Sequence, residues 1–164
     1  MNYLLTAIFG KRALQQLSSG DYVDWAVEML VQGYDSHSLR ILASLNRSGS
    51  TFEAENYFVR SITELNLTLP DPNTAIRAYA CAIAQQIIDE KISAHDGVRA
   101  LFQICIATDY ARDFIIWFQL EDALDSLISG NYPFTYESAT LENFPEIAKR
   151  EATNFIPAVT KIPD

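Results

Sequence analysis

Proline is absent from residues 1–69 and again from 73–132, and the 164-residue chain holds only six prolines and six glycines. Turn-rich β architectures need a breaker about every 8–12 residues. So few argue against a sandwich or barrel and for helices. Cysteine is nearly as scarce: Cys81 and Cys105 stand alone, without a CxxC pair, which argues against a disulfide framework and a ribbon-type zinc site; two reduced core thiols are expected, with a single disulfide between neighbouring helices as the alternative. Cations are also few, 12 Lys and Arg against 21 Asp and Glu, for a net charge of −9. A surface that follows phosphates displaces counterions with clustered cations. The net field here instead opposes nucleic acid and anionic lipid.

No apolar run approaches the ~20 residues that span a bilayer. The stretch Leu4–Phe9 has no cations ahead of it, as a signal peptide would, so the expectation is a soluble, cytoplasmic chain. The sequence also lacks a P-loop, a GxGxxG turn, a GxSxG elbow, an HExxH pair and an EF-hand loop. It therefore offers no starting residue for catalysis, and no enzyme activity, cofactor or metal is expected.

What is present is hydrocarbon in a helical rhythm. Hydrophobic residues make up 49% of the chain and aromatics 12%, enough for a self-sufficient core. The spacing predicts a single all-α domain over 1–164, a compact bundle of about seven or eight helices in successive antiparallel hairpins, with 156–164 as a C-terminal tail. The first helix is expected over Tyr3–Ser18 with Gly20 as its stop. The second opens at Asp21 and closes at Gly33. Ser36 caps the third, and Ser50-Thr51-Phe52-Glu53 has the form of a capping box for the fourth. Asp71 and Pro72 suit the cap and first position of a fifth helix over about 72–91, in which Ile76, Ala80, Ile83 and Ile87 form one stripe. Ser93 caps a sixth, with Gly97 tolerated in its first turn. Phe114–Phe118 reads as the buried part of a helix running to Ser129, with a short extended segment as the alternative. A last helix lies over about 141–155, and Pro145 either kinks it or marks its start.

Trp25-Ala26 followed by Gly33-Tyr34-Asp35-Ser36 and then Leu39–Leu45 is, physically, a helix, a glycine stop, a capped turn and a second helix packing back on the tryptophan. This stretch, Gly20–Leu45, resembles a pattern in small uncharacterised bacterial helical proteins. Some proteins of that kind look like immunity or interaction partners, so the resemblance implies binding rather than catalysis.

Neither His37 nor His95 has a second ligand one turn away, and both fall in first helical turns as solvent-facing residues. Carboxylate pairs at helical spacing, Asp21 and Asp24, Asp122 and Asp125, Glu142 and Glu146, read as solvated faces. The distribution of charge is more informative. Residues 1–104 carry 8 basic and 11 acidic side chains, whereas 105–164 carry 4 and 10, so the last 60 residues hold most of the excess. Between 109 and 146, Arg112 is the only cation among eight acids, and these interleave with Trp117, Tyr132, Phe134 and Tyr136. Acids steer a basic partner and aromatics anchor it. The expectation is a protein-interaction module, of an acidic inhibitor or immunity type, binding through Trp117, Glu121, Asp122, Asp125 and Tyr136. The alternative is a scaffolding domain that self-associates, a homodimer for example; an enzyme with a site assembled from distant residues ranks third.

Overall fold

The computed structural model describes residues 3–160. Its regular elements are α1 (Tyr3–Ala13), α2 (Ser19–Val31), α3 (His37–Ser44), α4 (Thr51–Glu64), α5 (Pro72–Ile88), α6 (Ala94–Ala107), a 3₁₀ turn (Arg112–Phe114), α7 (Ile115–Ile128) and α8 (Phe144–Thr160). The fold is all-α, as the scarcity of breakers implied. Packing divides the chain into two compact units, Met1–Ala75 and Ile76–Asp164.

In the first unit α2, α3 and α4 pack on one another, and α1 adds to α2. Phe58, fully buried on α4, sits among Tyr22, Trp25 and Phe9, with ring centroids 5.1, 4.9 and 6.3 Å away. Met29, Leu39, Leu42 and Ile62 complete this core, so the α3 leucines do pack into the cluster that holds Trp25. Ser36 and Ser50 cap α3 and α4 through the Leu39 and Glu53 amides. The reciprocal capping box falls elsewhere, at Ser18 and Asp21. The Asp21 amide donates to the Ser18 hydroxyl, and the Ser18 amide donates to the Asp21 carboxylate at 2.9 Å. Asp21 is therefore the third residue of α2 rather than its cap, and Gly20 lies inside the first turn instead of stopping α1.

The stop of α1 is Gln15, whose φ of 56° turns the chain left-handed while the Gln16 amide donates back to the Lys11 carbonyl. Asn66, Glu90 and Asp109 end α4, α5 and α6 in the same way. Because residues other than glycine hold this conformation, sequence punctuation places the end of α1 five residues late, at Ser18 instead of Ala13.

Glu64 closes the first unit chemically. It accepts from the Ser38 hydroxyl at 2.6 Å and from the Ser38 amide at 2.8 Å, satisfying a free donor in the first turn of α3. These two bonds hold the Glu64 carboxyl below its ordinary value. The folded pKa lies under the unfolded one, so the stabilisation is present above the unfolded value and is lost as acidification passes the folded one. Glu64→Gln should lower the thermal midpoint at pH 7, and the difference from wild type should shrink as the pH falls below the ordinary carboxylate range. Calorimetry across that range measures it.

In the second unit α6, α7 and α8 pack pairwise around Leu101, Ile104, Trp117, Leu120, Leu124, Phe144 and Phe155. The expected α5 stripe, Ile76, Ala80, Ile83 and Ile87, is buried. Residues 114–118 are helical apart from Phe114, which closes the 3₁₀ turn. Pro145 marks the start of α8, and that helix continues through Pro157 to Thr160. It thus takes in 156–160, for which the sequence pattern suggests a tail; 161–164 lie outside the described residues.

Gly97 has a stronger role than tolerance. A Cβ built there would lie 2.3 Å from Cγ1 and 2.6 Å from Cδ1 of Ile87, so α6 approaches α5 closer than any side chain allows. Gly→Ala in a helix ordinarily gains about 1 kcal/mol. Here Gly97→Ala should instead destabilise by about 1–3 kcal/mol, because the β-branched Ile87 has few rotamers to yield into. Urea denaturation reads the sign directly.

Candidate functional site

The acidic-aromatic region expected from the sequence is built from α7 and the loop that follows it. The apolar residues Trp117, Leu120 and Leu124 recur at i, i+3 and i+7 and face the core. This helical phase decides the fate of each expected residue. Trp117 is fully buried, its ring edge-to-face with Phe155 at 5.2 Å, so it has no area to offer a partner. Glu121 is only 5% exposed, and Arg99 on α6 donates to it at 2.9 Å. Its charge is spent inside the unit, and it does not belong to an accessible patch. Asp122 and Asp125 lie on the outer side of the helix, exposed, with the Arg99 guanidinium 4.0 Å from Asp125.

Tyr136 is also committed. Its hydroxyl donates to Glu151 at 2.6 Å and accepts from Arg150 at 2.6 Å. Partial burial, followed by the neighbouring Glu151 carboxylate, pushes its phenol above the usual range. The ring thus fastens the loop to α8. Of the five expected residues, Asp122 and Asp125 remain as surface charges, whereas Trp117, Glu121 and Tyr136 work in packing.

Two better-placed aromatics lie outside the expected set. Gly130, at φ 74°, ends α7 and releases a loop whose Pro133 is buried. On either side of Pro133 stand Tyr132 and Phe134, 52% and 78% exposed, with ring centroids 4.8 Å apart at an interplanar angle of 67°. The next residue, Thr135, shares its hydroxyl proton between the Gln119 carbonyl at 2.9 Å and the Asp122 carboxylate at 3.0 Å. Pro133 and Thr135 therefore pin the loop, Thr135 partly through Asp122, and the two rings are left exposed. The alternation around Pro133 is a legible sign, since a loop proline that packs inward turns its neighbours out. Ile128 and Leu141 are further exposed apolar residues at the two ends of this segment.

The remaining chemistry-bearing residues do not converge. His37 and His95 are both exposed, and the His95 ring rests against Phe144 with centroids 5.5 Å apart. Both cysteines are free; Cys105 is buried, Cys81 half-buried, and burial raises both thiols. Among the described residues no group of three His, Cys, Asp or Glu side chains could hold a metal ion. A depression of about 340 Å³ between α1 and α2 has an apolar floor of Leu4, Ile8, Leu17 and Trp25. The acids at its rim are occupied, Asp21 by Ser18 and Asp24 by the Arg47 guanidinium.

The fold thus defines an all-helical protein, and among the described residues no helix is long and apolar enough to cross a membrane. Set against family models, curated proteins and solved structures, the chain matches none.

Proposed function

We propose that this protein acts by binding another protein of basic character, as an acidic inhibitor or immunity-type partner, through the outer side of α7 and the loop after it. The observation that carries the reading is Phe134, a phenylalanine 78% exposed in a loop fixed by Pro133 and Thr135 and flanked by Asp122 and Glu137. With Tyr132 against it, Phe134 forms a paired aromatic surface rather than a lone exposed residue, the kind of apolar patch with a polar rim that protein partners cover. The ordering is already done before binding, so less entropy is lost on association. The surrounding carboxylates lack local cations to neutralise them, which suits long-range attraction of a positive surface.

The test uses the Asp122→Lys/Asp125→Lys variant. A partner captured by the wild-type chain and identified should associate about tenfold more slowly with the variant at low salt, and the difference should narrow as salt rises. An identified partner whose association rate is the same for both chains removes the proposal. The self-associating alternative makes the opposite forecast in sedimentation: a dimer that persists at high salt and is weakened by Phe134→Ala.

A further inference from the structure

We infer that the Tyr132–Phe134 pair, together with the Asp122 carboxylate that Thr135 holds, receives an arginine side chain of the basic partner; the inference rests on the interaction reading above and names what that surface recognises. The two rings meet at 67°, an edge-to-face arrangement that covers the edge of one ring and one face of the other, and with the rings 52% and 78% exposed the remaining faces are open. A ring face carries the negative part of the aromatic quadrupole and attracts a cation placed over it. Among the described residues no lysine or arginine lies within ion-pair distance of Asp122 or Glu137; the neighbouring cations are taken, Arg99 by Glu121 and Arg150 by Tyr136 and Glu151. Asp122 has the Thr135 hydroxyl as its partner, which leaves acceptor capacity on a carboxylate held by the residue next to Phe134.

The loop therefore offers exposed ring faces at Tyr132 and Phe134 and an uncompensated carboxylate hydrogen-bonded to the next residue, Thr135. A guanidinium answers both at once: it is planar and weakly hydrated, stacks on an aromatic face, and donates in a fork that matches a carboxylate. An ammonium is drawn to the same ring face but cannot stack flat on it or fork two bonds to a carboxylate, and it holds its water more strongly. A second copy of the chain is a poor occupant, since residues 105–164 carry a net charge of −6 and would repel their like.

Octa-arginine and octa-lysine, peptides of equal length and charge, make the test with the full-length chain. Calorimetry gives each affinity, and aromatic NMR follows the Tyr132 and Phe134 rings. Octa-arginine should bind about two- to fivefold more tightly and shift both rings. Phe134→Leu keeps the apolar bulk at a site that water already surrounds, so folding is unaffected; it should erase the preference, octa-arginine losing more affinity than octa-lysine. Equal affinities insensitive to Phe134→Leu, but lost in Asp122→Lys/Asp125→Lys, would overturn the arginine inference and leave the acidic-surface reading standing. Failure of either peptide to perturb residues 119–137 would overturn both.

Discussion

Phe58→Ala should lower the stability of the first unit by about 3–5 kcal/mol, the largest loss expected from any single truncation there. Phe58 is fully buried and its ring is the common neighbour of Phe9, Tyr22 and Trp25, which stand on three sides of it. Removing it takes away the transfer energy of the ring and leaves a cavity bounded by large, stiff aromatics that collapse poorly. Each of its three aromatic pairings is worth about 0.5–1.5 kcal/mol beyond the area it buries. Tryptophan fluorescence during urea titration, recorded in a Trp117→Phe background so that Trp25 is the tryptophan left, reads the first unit. A midpoint unchanged from that background would mean that Phe58 is not the centre of this core.

The second large effect separates folding from binding in the other unit. Trp117→Ala should destabilise by about 3–5 kcal/mol, since a fully buried indole packed on Phe155 is lost. Asp122→Lys/Asp125→Lys, further along the same helix, should cost no more than about 1 kcal/mol, because both carboxylates are exposed and lose only one acceptor of the Thr135 hydroxyl and a 4.0 Å approach to Arg99. Glu121 does not belong in that reversal set. A lysine there would put a cation into a nearly closed site facing the Arg99 guanidinium, and the unit would lose stability for reasons unrelated to any partner. Hydrogen exchange on α6 and α7 distinguishes the variants: Trp117→Ala should open these helices and the double aspartate variant should not.

The elements that are best legible in the sequence are those whose starts are written in side-chain chemistry. Ser36, Ser50, Asp71 and Ser93 each accept from a first-turn amide as expected, and Pro145 lies at the beginning of its helix. The ends are harder. A left-handed residue at a helix terminus is suggested by glycine, and Gln15, Asn66, Glu90 and Asp109 give no such sign. Gly97 is hidden for a related reason: its need arises from the approach of Ile87, a proximity that local pattern does not encode. On the candidate surface, the charges at Asp122 and Asp125 are legible as an excess, but composition cannot tell an inward tryptophan from an outward one. The phase of Trp117 with Leu120 and Leu124 is the signal that excludes it. Tyr136 lies beyond such reasoning, because its hydrogen bonds to Arg150 and Glu151 come from α8.

Those glycine-free terminations also bear on how the molecule could be hardened against heat. An L-residue in the left-handed region carries about 1–2 kcal/mol of steric penalty, and the hydrogen bonds that close α1 and α5 hold Gln15 and Glu90 there nonetheless. The chain thus stores tension at its corners; glycine in place of the exposed Gln15 releases it, whereas at Glu90 the same exchange also gives up the 2.7 Å pairing with Lys149.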